Sequence, residues 1–133
     1  MTEHPFESLD FIYTPSADVA ADMAYFTDVL GGRLVFAVEG MGARAALIEL
    51  TEAKPHVILT DHLEGDRPIL VYRVASLRKA LTALEKRGWE REETFEIPHG
   101  PCSSFVGPGG HRVALYELKR PDADTFFAGR KDF

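Results

Sequence analysis

The residues of this chain that could take part in metal or acid–base chemistry are few and scattered. His56, Asp61 and His62 lie close together among only five histidines. Their spacing matches no common zinc-ligand pattern, and His62 falls in a polar linker, so we interpret the trio as a solvated strand end. His99 lies in a loop before a strand, where it could be a gate or a polar contact, although a surface position is the commoner case. His111 follows a glycine turn and is expected to be exposed.

Carboxylates and tyrosines offer candidates for proton transfer without a diagnostic arrangement. The carboxylates are Glu49, Asp61 and Glu117, and Tyr13 and Tyr116 are the candidate proton donors. Carboxylates at strand edges and on the surface are far commoner than catalytic ones, so these residues carry little weight. There is no Ser/His/Asp arrangement, phosphate-binding loop or CxxC motif.

Composition excludes several classes of protein. The 133 residues, 45% of them hydrophobic, suit one soluble domain, and a net charge of −6 disfavours a general nucleic-acid binder. No apolar run is long enough for a membrane span, and Met1–Asp10 lacks the basic start and apolar run of a signal peptide. The single Cys102 cannot form an internal disulfide and has no obvious base, so we expect a packed thiol. These features favour a cytoplasmic protein.

The most informative stretch is a predicted hairpin near the end of the chain. Gly107–Gly110 is a turn that separates the strands Pro101–Val106 and Arg112–Leu118. In the second strand, two sets of side chains alternate. One set, which fits a core covered by a helix, is Val113, Leu115 and Glu117; the other, which fits the wall of a cavity, is Arg112, Ala114 and Tyr116.

Strands and helices are predicted in the same order twice along the chain. The first series is Leu9–Thr14, the helix Val19–Leu30, Arg33–Glu39, Ala43–Leu50 and His56–Thr60. The second is Ile69–Val74, the helix Leu77–Arg87, an irregular strand Trp89–Glu93 with Phe95–Ile97, and the hairpin. Asp18 and Ser76 are suitable helix N-caps, and Gly31 and Gly88 are suitable stops.

The two series are related by a fixed offset. A shift of 58 residues lays Val19 on Leu77, Met23 on Leu81 and Phe26 on Leu84. We therefore predict an α+β fold of two βαβββ modules, 8–65 and 66–118, followed by a tail, 119–133, in a single domain 1–133. Curved mixed sheets would surround a shared cavity, with the helices on the outer face.

This duplicated pattern resembles the vicinal oxygen chelate superfamily, which includes glyoxalase I, bleomycin-resistance proteins and extradiol dioxygenases. The resemblance covers about residues 8–118, and its most specific parts are Ala24–Gly32 and Gly107–Glu117. It implies βαβββ modules, and in the metal enzymes a divalent ion held by the first and last strand of each module. The four corresponding places carry Phe11, Ile58, Ile69 and Ala114. These side chains offer no lone pairs to a metal ion, so we expect no metal and no cofactor.

The resemblance also suggests which side chains share the cavity face. The predicted ligand-binding residues are Phe11, Tyr13, Phe36, Ile58, Thr60, Ile69, Val71, Arg73, Arg112, Ala114 and Tyr116. An apolar cup with a few polar groups is typical of small-molecule sites, and two arginines would suit an anionic group. The alternatives are that the arginines pair with Glu49 or Glu117 and that the apolar residues simply fill a core.

The functional prediction is metal-independent binding of a small hydrophobic or aromatic molecule with an anionic or polar group. This would be sequestration of the bleomycin-resistance type and not catalysis. The first alternative is a lyase, isomerase or oxidoreductase of the glyoxalase or dioxygenase type with a relocated divalent metal, and the second is an interaction module with a vestigial cavity. Three phenylalanines in the tail, Phe126, Phe127 and Phe133, are predicted to dock on this subunit or on a partner, and a homodimer is expected.

Overall fold

A computed structural model describes residues 4–40, 42–63, 65–90 and 93–133 of the chain. The predicted element order is confirmed. The elements are β1 (Ser8–Pro15), α1 (Val19–Ala24) continued by a π-helical turn (Tyr25–Val29), β2 (Arg33–Gly40), β3 (Ala43–Glu49), β4 (His56–Thr60), β5 (Ile69–Val74), α2 (Leu77–Glu85), β6 (Glu93–Ile97), β7 (Gly100–Val106), β8 (Arg112–Glu117) and α3 (Ala123–Phe127).

The predicted strand Trp89–Glu93 is wrong over its described part. Trp89 and Glu90 lie outside any strand, Arg91 and Glu92 lie outside the described residues, and β6 begins at Glu93. The indole ring of Trp89 packs edge-on against Phe105, with ring centroids 5.0 Å apart. The apolar character of this segment therefore reflects packing of one side chain and not strand pairing.

The chain divides into two compact units, each built around one helix. The α1 unit comprises Phe11–Pro68 and Asp122–Phe133; the α2 unit comprises the residues up to Asp10 and Ile69–Pro121. These units differ from the predicted modules because β1 is divided at Asp10 and because the tail belongs to the α1 unit. None of the helices in the described ranges is long and apolar enough to cross a membrane.

In the α1 unit the strand order is β2-β3-β4-β1, with β1 parallel to β4 and the other pairs antiparallel. Asp18 caps α1 by accepting a hydrogen bond from the backbone N–H of Ala21. The helix buries an apolar stripe against one sheet face, and this core consists of Val19, Met23, Ala37, Ala46, Ile48 and Leu59.

The tail docks on its own unit, which confirms one of the two predicted outcomes for Phe127 and Phe133; the prediction of docking on this subunit is wrong for Phe126, which is 75% exposed. Residues 129–132 run beside β2, where the backbone N–H of Ala37 donates to Arg130 and that of Asp132 donates back to Ala37, both at 2.8 Å. Phe127 packs on Phe36 with ring centroids 5.5 Å apart, and Phe133 packs against the α1 core.

In the α2 unit the strand order is β5-β8-β7-β6, with β5 parallel to β8 and the other pairs antiparallel. The core beneath α2 consists of Val74, Leu77, Leu81 and Leu115. Glu117 lies on this face as predicted, since its carboxylate accepts a hydrogen bond of 2.9 Å from the backbone N–H of Leu77 at the start of α2. That bond, with a smaller contribution from Lys119, lowers the pKa of Glu117.

Candidate functional site

Six of the eleven predicted binding residues lie on the face of the α2-unit sheet that points away from α2. Leu115 belongs to the core under the helix, so its neighbours Ala114 and Tyr116 point to the opposite face. Pairing of β5 with β8 places Val71 beside Ala114 and Arg73 beside Tyr116. The six predicted residues on this face are therefore Ile69, Val71, Arg73, Arg112, Ala114 and Tyr116.

A buried carboxylate stands at the polar end of this face. Asp10 is only 1% exposed. The hydroxyl of Tyr116 donates to Asp10 Oδ2 at 2.5 Å, and the hydroxyl of Ser8 donates to Asp10 Oδ1 at 2.5 Å. Hydrogen bonds to a carboxylate are among the stronger ones in proteins, so these contacts hold the carboxylate and the phenol in one arrangement.

Arg73 connects this buried group to the surface. Its Nε lies 3.2 Å from Glu7 Oε1 and 3.8 Å from Asp10 Oδ2, and its side chain is 35% exposed. Two carboxylates thus face one guanidinium. We name Ser8, Asp10, Arg73 and Tyr116 the Asp10 cluster, with Glu7 as its exposed neighbour.

The alternative prediction that Arg73 pairs with Glu49 or Glu117 is wrong. Glu49 pairs with Arg33 at 2.5 Å and Glu117 with Lys119 at 3.4 Å, whereas Arg73 pairs with the residues before and within β1. The interpretation of Arg73 as an ion-paired residue is therefore supported, but with other carboxylates. Arg112 is half-buried.

Sequence reasoning missed Asp10, Ser8 and Glu7. A usable signal was present, because Asp10 is the only charged residue between Ser8 and Pro15. A lone carboxylate in an otherwise uncharged strand needs a partner when it is buried. The partner could not be named from the sequence because Tyr116 is 106 positions away.

The other five predicted residues lie in the α1 unit and contact that unit's own side chains. They are all buried: Phe11, Tyr13, Phe36, Ile58 and Thr60. Pairing of β1 with β4 places Tyr13 beside Ile58. Phe36 is covered by Phe127, the ammonium of Lys54 lies 5.5 Å from the Phe11 ring centroid, and the Tyr13 hydroxyl bonds to the Nε2 of His62.

The residues at the four expected metal-ligand places do not fit a metal ion. Phe11, Ile58, Ile69 and Ala114 have no exposed surface and no donor atoms. Within residues 4–40, 42–63, 65–90 and 93–133, no group of three or more His, Cys, Asp or Glu side chains could hold one. The residues present therefore do not support the relocated metal of the alternative prediction.

The His56, Asp61 and His62 trio is divided among different partners. His56 is buried, with Nε2 3.5 Å from Glu49 Oε2, and Asp61 accepts a hydrogen bond from the backbone N–H of Arg44 at 3.0 Å. The prediction of a solvated strand end is thus wrong for His56, because β4 carries it into the sheet beside Phe11.

Two further predictions concern Cys102 and His111, which lie in and next to the hairpin of β7 and β8. Cys102 is buried, and desolvation followed by the nearby Glu96 charge raises the pKa of its thiol far above the usual range. The burial of the side chain confirms the predicted packed thiol. His111 is exposed, as predicted.

The surface placement of His99 is wrong. His99 is 3% exposed, and its carbonyl accepts hydrogen bonds from the backbone N–H groups of Lys119 and Arg120. The next residue explains the close packing, since a Cβ on Gly100 would lie 1.9 Å from the carbonyl oxygen of Glu117. Only glycine permits this approach of the two backbones.

No protein-family model matches the chain, and no curated protein matches it. Among solved structures, methylmalonyl-CoA epimerase from Mycobacterium tuberculosis is similar, with a TM-score of 0.74 and 19% identity over 92% of this chain and 95% of that one. A hypothetical protein from Bacillus halodurans gives 0.71 and 14% over 85% and 95%.

A third similar structure is Streptomyces coelicolor methylmalonyl-CoA epimerase in complex with 2-nitronate-propionyl-CoA, with a TM-score of 0.69 and 12% identity over 86% of this chain and 96% of that one. Identities this low show a shared fold and do not by themselves extend an activity from one protein to another. The chain therefore shares the α+β fold of these structures, and its order of helices and strands is the duplicated βαβββ order predicted from the sequence.

Proposed function

We propose that this protein binds a small hydrophobic or aromatic molecule with an anionic or polar group, without a metal ion. The proposed contacts lie on the face of the α2-unit sheet away from α2. Arg73, the partly exposed member of the Asp10 cluster, would recognise the polar group. Ile69, Val71 and Ala114 have no exposed surface, so their contact with the apolar part requires that this face open when the ligand binds. This is binding without chemical conversion of the ligand.

The observation that carries the proposal is the partly exposed Arg73 above a buried acceptor. The Tyr116 hydroxyl donates to Asp10 at 2.5 Å, and Asp10 Oδ2 lies 3.8 Å from Arg73 Nε. A guanidinium at the end of an apolar strand face is a common way to recognise a carboxylate or phosphate.

The charges at the cluster define how an anion would bind. With Glu7 and Asp10 both facing Arg73, an added anion would meet a site that is already negative. Glu7 is 49% exposed, whereas Asp10 is buried. We therefore expect the ligand's anionic group to replace the Glu7 carboxylate on Arg73, which leaves the local charge unchanged.

The α2 unit alone supports this proposal. Three of the five predicted residues of the α1 unit contact side chains of their own unit: Phe36 contacts Phe127, Phe11 contacts Lys54 and Tyr13 contacts His62. Their predicted role in binding remains a prediction without support from these contacts. Homodimer formation also remains a prediction, which sedimentation velocity at tens of micromolar protein would test.

The experiment compares matched ligands on chelator-treated protein. Thermal unfolding is measured with 2-naphthoate and with its uncharged analogue 2-naphthamide. We expect stabilisation by the naphthoate that rises with its concentration and is lost in Arg73→Gln but kept in Arg33→Gln, which removes the same charge from an exposed pair with Glu49.

Two results would count against the proposal. One is equal stabilisation by both ligands in wild type and Arg73→Gln, which would remove any role for the guanidinium. The other is binding that appears only after a divalent metal is restored and that tracks a stoichiometric ion in elemental analysis. That result would favour the alternative, a lyase or oxidoreductase with a relocated metal.

A further inference from the structure

The outer face of α2 forms a concave surface that shares no residue with the Asp10 cluster. It is an open groove of about 600 Å³. We name it the α2 groove, and its lining residues are Arg78, Lys79, Thr82, Ala83, Lys86 and Arg87. All six are exposed, whereas Leu77 and Leu81 on the other side of the helix are buried.

The groove follows from the helical spacing of long and short side chains. Arg78, Thr82 and Lys86 recur every four residues and so form one row along the helix. Lys79, Ala83 and Arg87 form the adjacent row. In both rows a short residue separates two long cations, so the middle of the face is low and each end carries two positive charges.

These four cations have no anionic partner in the described part of the chain. None of Arg78, Lys79, Lys86 and Arg87 forms an ion pair with a described residue. The one carboxylate in α2, Glu85, does not line the groove. In a chain of net charge −6, four unneutralised cations on one helix face are a marked local concentration of positive charge.

The cations at the two ends of the groove have opposite effects on the stability of α2. Lys86 and Arg87 follow the last turn of α2, where positive charge stabilises the helix dipole. Arg78 and Lys79 lie in the first turn, which contains no acidic residue, and there positive charge is unfavourable. Helix stability therefore explains Lys86 and Arg87 but not Arg78 and Lys79. A ligand that contacts both pairs would explain all four cations.

We propose that the α2 groove binds a small anion that carries two or more phosphate groups. The two pairs of cations are eight residues apart, or roughly 12 Å along the helix axis. Their side chains are long enough to approach each other above Thr82 and Ala83. A single phosphate would contact one pair, whereas a chain of linked phosphates would contact both.

The test is calorimetric titration of the whole protein with sodium tripolyphosphate, with inorganic phosphate as the matched shorter anion. We expect saturable one-to-one binding of tripolyphosphate that weakens as salt increases, and binding of inorganic phosphate that is at least about tenfold weaker. The variants Arg78→Gln/Lys79→Gln and Lys86→Gln/Arg87→Gln should each weaken tripolyphosphate binding by about tenfold or more.

The control is Arg33→Gln/Lys131→Gln, which removes the same charge from exposed positions in the α1 unit. The affinity of this variant for tripolyphosphate should stay within about twofold of wild type, because the four cations of the α2 groove are unchanged. Circular dichroism melts would establish that each variant is folded. An equal loss of tripolyphosphate affinity in the control would show that only the net charge of the protein matters, and it would overturn the proposal.

Two other outcomes would also overturn it. Tripolyphosphate and inorganic phosphate could bind with equal affinity, which would show that the two ends do not act together. Alternatively, wild type could bind no tripolyphosphate while Arg78→Gln/Lys79→Gln abolishes self-association in sedimentation, which would assign the groove to an acidic surface of a second copy.

Discussion

The two units place different residues at equivalent points of the same strand pairing. In the α1 unit, β1 and β4 pair Tyr13 with Ile58 and Pro15 with Thr60. In the α2 unit, β5 and β8 pair Val71 with Ala114 and Arg73 with Tyr116. Under the 58-residue offset, Pro15 corresponds to Arg73.

This difference separates the strand pairing that the two units share from the side chains that are particular to each. The α1 unit has an aromatic tyrosine near a prolyl strand end, and the tail covers its sheet with Phe127. The α2 unit has small aliphatic residues followed by a guanidinium and a phenol on a buried carboxylate. Both faces are buried, but one carries aromatic side chains packed by the tail and the other carries a buried carboxylate with hydrogen-bonded partners.

The largest expected effect on stability comes from removing the buried carboxylate of the α2 unit. Asp10→Ala should lower the free energy of unfolding by about 3 kcal/mol, because Arg73 and the Tyr116 hydroxyl lose a buried partner. The comparison in the α1 unit is Thr60→Val, because Thr60 occupies the place in the strand pairing that Tyr116 occupies in the α2 unit. This change should lower the free energy of unfolding by less than about 1 kcal/mol. Urea unfolding measures both, and equal losses would contradict the contrast between the units.

The second prediction concerns the cover of the α1 unit. Phe127→Ala should lower the free energy of unfolding by about 2 kcal/mol, since Phe127 is partly buried on Phe36. Phe126→Ala is the control, because Phe126 is 75% exposed and should change stability by less than about 0.5 kcal/mol. Similar losses in the two variants would show that the tail does not cover the sheet through Phe127.

The smallest effect is a pH-dependent one at the start of α2. The folded-state pKa of Glu117 is lowered by the Leu77 N–H, so its stabilisation is present above the unfolded-state pKa of about 4.3 and is lost as pH falls through the folded value. The stability difference between wild type and Glu117→Gln should therefore shrink between pH 6 and pH 3. Glu90→Gln, at an exposed position, should show no such trend.

Much of the architecture could be predicted because it depends on local signals. Alternation along Arg112–Leu118 separated Leu115, which packs under α2, from Tyr116, which does not. The capping residues Asp18 and Ser76 and the stops Gly31 and Gly88 set the helix positions, and both glycines have positive φ.

The remainder depends on contacts between distant parts of the chain. The burial of His99 requires the backbone of Lys119 and Arg120, and the position of Phe127 requires β2. Asp10 was visible as an unusual residue, but its role depends on a tyrosine from the last strand. No local pattern carries such pairings, since they arise only when the strands assemble.

The central claim is that Arg73 recognises an anion that takes the place of Glu7. Its most direct test is calorimetric titration of chelator-treated wild type, Glu7→Gln and Arg73→Gln with 2-naphthoate. The account predicts tighter binding in Glu7→Gln than in wild type, by about tenfold since a competing ion pair is removed, and no measurable binding in Arg73→Gln. Weaker binding in Glu7→Gln, or unchanged binding in Arg73→Gln, would contradict it.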